Sequence, residues 1–267
     1  MRTRIIKSST AVTGILLFLF VNCSDIDEGL KIKYKEFKQK DGKCEEDAFQ
    51  NCVQIKFRYP ELSYPAKPEA EKIINAQISE QIIQSIFKPS ENPTIEAMMT
   101  EFINDYNKFI NETGSSQGWE LTRDIEVRFF NDDFISMVYA EYSYLGGAHP
   151  NNFVLFSNYS LNTGNKIKLS DILVDDYLPE LTKIAEEEFR KLKKLNTAQT
   201  LNEAGYWFED NLFTINNNFA LSDKNLTFYY NKYEISAYAY GPTELDIPLN
   251  RISHLMLSNG LLSKVDN

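Results

Sequence analysis

Helical and strand-like hydrophobic patterns occupy separate blocks of this chain, and that segregation limits its folds more than any other feature. From Gln50 to Tyr59, Val53, Ile55 and Phe57 alternate with Gln54, Lys56 and Arg58, the period of a strand with one buried face. Pro60, Pro65 and Pro68 are expected to break it. Ile74, Ile78, Ile82 and Ile86 then step by four, as on one helix face, until Pro89 and Pro93. Ile95, Met98, Met99, Phe102, Ile103, Tyr106, Phe109 and Ile110 mark a second helix. A β section follows, with Ile125, Val127 and Phe129 alternating, then strands over 134–145 and 153–161 and the start of a fourth at 166–169. Leu178, Leu181, Ile184, Ala185, Phe189, Leu192 and Leu195 form a third helical stripe. Strands at 226–230 and around Leu245, Ile247 and Leu249 precede a last short helix near 251–257. Such runs predict an α+β fold, with largely antiparallel sheets packed with helices. The polar stretch at 23–48 before them reads as a tether with an edge segment.

The N-terminus addresses location. Arg2, Arg4 and Lys7 precede an apolar run, Ile15 to Val21, which has the length of a secretory core and is short for a membrane span. Cys23 follows at once. The arrangement resembles a bacterial lipoprotein signal over residues 1–22, with Cys23 lipidated, although Phe20 and Asn22 depart from its preferred residues. An ordinary signal peptide or a short anchor is the alternative. The acidic run Asp25 to Glu28 resembles surface-export signals of Bacteroidetes lipoproteins. The resemblance implies a lipid-anchored envelope protein, at the outer membrane and exposed at the surface. In an exported chain, Cys44 and Cys52 read as a disulfide, with two free thiols as the alternative.

Charge and composition exclude some functions. The net charge is −10, and removal of residues 1–22 with Arg2, Arg4 and Lys7 takes it to −13. No basic face is expected for nucleic acid. An acidic exported domain favours cationic partners at low salt, although plain solubility is the more general reason for such a charge. Two histidines cannot build a three-His metal site, and no cofactor or metal is expected.

Catalytic motifs are weak. Gly114-Ser115-Ser116-Gln117-Gly118 fits G-x-S-x-G, but a helix precedes it and a strand follows, the inverse of a nucleophile elbow. Ser85-Ile86-Phe87-Lys88 fits S-x-x-K without its companion motifs. Asp132-Asp133, Asp175-Asp176 and Glu186 to Glu188 supply paired carboxylates, which turns and a helix surface also explain. No catalytic residue is assigned. The notable loop is Tyr142-Ser143-Tyr144-Leu145-Gly146-Gly147-Ala148-His149-Pro150. Tyr142 and Tyr144 share a strand face, Gly146 and Gly147 permit unusual backbone angles, and Pro150 stiffens the exit. Tyrosines beside such a loop suit recognition of sugars or protein surfaces. A structural turn, with His149 satisfying a backbone group, is the competing reading.

That loop, together with Asn158 to Asn165 and Leu169 to Leu173, resembles an exported bacterial family, and a second block matches it too. This block runs from Leu226 to Ile235 and on through Ala237-Tyr238-Ala239-Tyr240-Gly241-Pro242 to Pro248. The family includes the extracellular region of RsiV-type anti-sigma factors, which sense lysozyme by binding it, and the non-catalytic N-terminal region of some peptidoglycan deacetylases. The resemblance covers roughly residues 50–257 and implies two adjoining α+β modules, 49–165 and 166–267, and a binding role at the cell envelope. No cytoplasmic anti-sigma part is expected before the short basic segment and no catalytic deacetylase domain after Asn267, so neither anti-sigma signalling nor deacetylase activity is expected to carry over. The expected ligand is a lysozyme-like protein or a peptidoglycan fragment. The expected site is Tyr142, Tyr144, Gly146, Gly147, His149 and Pro150, with Tyr229, Tyr233, Tyr238, Gly241 and Pro242 from the second block.

Overall fold

The structure, a computed structural model, describes residues 29–262 apart from 45–49, 85–93, 197 and 259. Cys23, the acidic run after it and the S-x-x-K motif lie outside the described residues. The first module is a five-stranded sheet of β1 (Lys31–Gly42), β2 (Cys52–Ser63), β3 (Trp119–Phe130), β4 (Phe134–Tyr144) and β5 (Asn151–Ser160), ordered β1-β2-β3-β4-β5. All neighbours are antiparallel except β2 and β3. Between those two parallel strands run α1 (Pro68–Ile82) and α2 (Ile95–Thr113). The second module carries α3 (Tyr177–Lys193) and an antiparallel sheet of β6 (Phe219–Leu221), β7 (Asn225–Tyr230) and β8 (Thr243–Pro248). The fold is α+β. Among the described residues no helix is long and apolar enough to cross a membrane.

Local chemistry explains the elements. Pro68 opens α1 with Glu69 and Glu71 in its first turn, and the Thr94 hydroxyl accepts from Ala97 N at the start of α2. Gly114 ends α2 in the left-handed conformation, φ 68°, so the G-x-S-x-G match is a helix terminus followed by β3. Cys44 and Cys52 form a disulfide joining the end of β1 to the start of β2. Closing so short a loop contributes roughly 2–3 kcal/mol in the chain-entropy model.

Several expectations need correction. The edge segment expected within 23–48 is a full strand over residues 31–42, longer than a tether leaves room for, paired with β2 from Lys31↔Ser63 to Gly42↔Cys52. β2 runs through Pro60 to Ser63; pairing with β3 stops at Arg58, so a residue without an N–H is tolerated beyond it. No fourth strand starts at 166–169: Lys166 makes one bridge to Tyr159, and Leu169–Asp171 is a 3-10 turn whose Asp171 carboxylate accepts from Lys168 N. The closing helix is two 3-10 turns, Leu249–Arg251 and Ser253–Leu255.

The faces of the large sheet differ. Val53, Ile55, Phe57, Leu121, Ile125 and Met137 point to α1 and α2 and form one core with Ile74, Ile78, Phe102 and Trp119. Arg123 is buried among them. Its Nε donates to Glu141 Oε2 at 2.8 Å and its Nη1 to Ile82 O at the end of α1 at 2.7 Å. Tyr139 donates to the same Glu141 oxygen, and burial pushes its phenol pKa well up. On the opposite face, Phe134 joins the second core, with Phe189, Phe208, Phe213, Phe228 and Ile247.

Asparagine amides join the modules where a strand ladder would otherwise continue. Asn218 Oδ1 accepts from Phe156 N at 2.7 Å, and its Nδ2 donates to Val154 O and Tyr229 O. Asn158 returns the contact: its Nδ2 donates to Phe219 O and its Oδ1 accepts from Leu221 N. Asn231 Oδ1 accepts from Val154 N at 2.7 Å while its Nδ2 donates to Val154 O. Each amide offers the donor and acceptor of a missing backbone partner.

Candidate ligand-binding site

β4 carries Tyr142 and Tyr144 on the face away from α1 and α2, opposite Thr122 and Glu120 of β3. Both are partly exposed, and burial is the first cause of a raised pKa at Tyr142, followed by Glu120 and Tyr144. The chain then turns through the Gly146–Pro150 loop. Gly146 has φ 76°, and a Cβ there would sit 3.0 Å from Gln117 Oε1. Gly147 faces open space without a left-handed φ, so the unusual geometry belongs to Gly146 alone. His149 is exposed, with Nδ1 3.2 Å from Pro150 O.

The second block meets this loop. The His149 and Tyr238 rings lie 5.2 Å apart, and Tyr233 lies 5.5 Å from Tyr238 on its other neighbouring contact. Lys232 Nζ stands 4.4 Å from the Tyr238 ring centre and donates to the Tyr238 hydroxyl at 3.3 Å. Tyr238 is 36% exposed and Tyr233 54%. Tyr233 has φ 65°, a left-handed conformation that a bulky side chain rarely adopts. The loop holds it there: Asn231 is clamped to Val154 of β5, and Asn231 N donates to Glu234 Oε2 at 2.7 Å. Gly241, with φ 70° and ψ −174°, occupies a region essentially restricted to glycine, and the exposed Pro242 follows.

The remaining expected residue sits elsewhere. Tyr229 packs edge-on against Phe156 at 5.6 Å, at the junction of the modules, where burial raises its pKa. The structure thus brings His149, Tyr233 and Tyr238 into one cluster, leaves Tyr142 and Tyr144 on the sheet face, and puts Tyr229 between modules. Lys232, Asn231 and Tyr240 lie in the second block but were not among the expected site residues, and Trp207 lies outside it. Tyr240 and Trp207 are about half exposed beside the cluster's loop, Tyr240 edge-on to Tyr206 and Trp207 N bonded to Ile235 O. Lys232 directly precedes Tyr233, but a lysine in a polar stretch reads as solvated surface, and only the fold places it over Tyr238.

Chemically, the cluster offers exposed ring faces with hydroxyl edges and one cation. Ring faces stack on the apolar faces of sugars or on side chains, and phenolic tips hydrogen-bond at the rim. Among the described residues no three His, Cys, Asp or Glu side chains converge as metal ligands.

Residues 46–152 match the family described as Deacetylase PdaC, and residues 170–250 match a protein family of unknown function, DUF3298. The chain is 23% identical over 151 residues to the peptidoglycan-N-acetylmuramic acid deacetylase PdaC of Bacillus subtilis (strain 168). That covers 56% of this chain and 32% of the relative, so the chain spans about a third of the relative's length. A crystal structure of a DUF3298 family member from Bacteroides fragilis NCTC 9343 superposes with a TM-score of 0.74 at 20% identity, covering 90% of this chain and 98% of that one. One from Pseudomonas aeruginosa PAO1 gives 0.63 at 19%, covering 87% and 97%. These likenesses show the fold. The chain is related to both families, one over each module, and the ring cluster takes His149 from the first matched segment and Tyr233 and Tyr238 from the second.

Proposed function

We propose that this chain is a non-catalytic binding module of the bacterial cell envelope that recognises the glycan of peptidoglycan. In this reading lipidated Cys23 holds it at the outer membrane, facing the surface. The observation that carries the reading is the exposed His149–Tyr238–Tyr233 cluster with Lys232 against it, built jointly by both modules. The name of the curated relative, which acts on N-acetylmuramic acid in peptidoglycan, supplies the ligand class. Tyr238 and Tyr233 provide stacking faces, Lys232 and the phenols hydrogen-bond, and Gly146 and Gly241 shape the two loops.

Calorimetric titration with chitotetraose and with peptidoglycan digests tests this. Replacing His149 and Tyr238 with Ala is expected to weaken binding about tenfold or more, as loss of exposed aromatic anchors does, with little change in melting temperature. Lost stability with unchanged affinity would make the loops structural only. Release of soluble or deacetylated fragments at high protein concentration would make the chain an enzyme. A second reading, a lysozyme-like protein as ligand, is favoured by the net charge of −10 and by the resemblance to RsiV-type receptors. Lysozyme binding that survives physiological salt would select it, whereas heat seen only at low salt would reflect charge alone.

A further inference from the structure

We infer a second binding site, for a carboxylate- or phosphate-bearing ligand, on the open face of the five-stranded sheet. The register brings Lys38 opposite Lys56 and Lys40 opposite Gln54; Gln54 and Lys56 in turn face Glu120 and Thr122 of β3. These side chains line a groove of about 490 Å³ across β1, β2 and β3.

Three lysines and one carboxylate, Glu120, line this groove; with Glu36 beside it the group still carries one net positive charge, in a chain of net charge −10, so it is a local positive field on an acidic molecule. Like charges directly opposite across strands destabilise a sheet. Here Lys38 and Lys56 occupy such a pair and share one carboxylate, Glu36, at 3.0 and 3.4 Å. Lys40 makes no ion pair with a described carboxylate. Lysines on β1 have an ordinary use, because charge on an edge strand discourages further pairing. Lys56 does not fit that use, since β2 is paired on both sides at this position. An incoming anion accounts for all three: its oxygens accept from Lys38, Lys40 and Lys56, while Gln54 and Thr122 hydrogen-bond to neighbouring polar groups. The site is separate from the ring cluster, and neither depends on the other.

The test is calorimetry on the purified protein at physiological ionic strength with three probes: lactate, which has no sugar ring, for carboxylate, a glycerol phosphate oligomer for phosphate, and neutral chitotetraose. Saturable binding of an anionic probe is expected, and the probe that binds identifies the anion. Lys40→Glu with Lys56→Glu is expected to weaken it about tenfold or more, the scale of one charge-assisted hydrogen bond. Lys40→Glu alone, an exposed edge change, keeps the measurement valid should the double variant unfold. Chitotetraose binding is expected to stay unchanged, because it reports the ring cluster. Anionic probes that bind only at low salt, or that bind both variants as well as the parent, would overturn the site.

Discussion

Tyr233 holds a large side chain on a backbone with φ 65°. A non-glycine residue in that region costs on the order of 1–3 kcal/mol unless its surroundings enforce it. The enforcing contacts are the Asn231 clamp on Val154 and the Asn231–Glu234 turn, and what they secure is a half-exposed ring beside Tyr238. Asparagine tolerates the left-handed region better than tyrosine. Tyr233→Asn is therefore expected to stabilise the fold by about 1 kcal/mol while weakening glycan binding. Denaturant unfolding and ligand titration of the same variant check both halves. A variant that loses stability would show that the tyrosine is held for packing.

At the scale of elements, Asn218 sits between the sheets. Asn218→Asp keeps an acceptor for Phe156 N but removes the donor to Val154 O and Tyr229 O. Both carbonyls keep a second donor, Asn231 Nδ2 for Val154 O and Asn216 Nδ2 for Tyr229 O, but a buried carboxylate facing two carbonyl oxygens is expected to cost about 2–3 kcal/mol. Hydrogen exchange should locate the loss: the Phe156 and Leu221 amides lose protection while α1 keeps its own. Uniform loss would mean that the junction does not open separately. The same contrast between local and distant partners decides what could be read from the sequence. The alternation of Val53, Ile55 and Phe57 and the four-residue step of Ile74, Ile78 and Ile82 named β2 and α1, because each pattern reports its own buried face. β1 was legible only as an edge segment of unknown extent because Ile32 and Phe37 stand among lysines, and its full length comes from pairing with β2. The two ring-bearing loops were legible as loops rich in Gly and Tyr. Their meeting was not, since His149 and Tyr238 touch only after Asn231 and Asn218 dock one module on the other.

For the whole molecule, buried tyrosines set the alkaline limit. Burial pushes the Tyr139 and Tyr230 phenols well above their ordinary value, and Tyr230 also donates to Thr214 O. Above about pH 10 the unfolded chain loses these protons while the folded chain keeps them. The unfolded state then binds fewer protons, so stability is complete below that pH and falls as pH rises through it. Tyrosinate absorbance is expected to appear together with loss of helical circular dichroism, in one transition. Tyr230→Phe should make the alkaline decline shallower; a slope equal to the parent's would remove Tyr230 from the account. The parallel pairing of β2 with β3 also bears on the order of assembly. Val53 must find Trp119, with both α1 and α2 between them, whereas β1–β2 and β3–β4–β5 pair with near neighbours. Contacts between sequence-distant residues carry the larger loop-closure entropy and slow folding. The chain should therefore assemble as a disulfide-closed hairpin and a three-stranded meander that wait for each other, and the seam between β2 and β3 sets the pace.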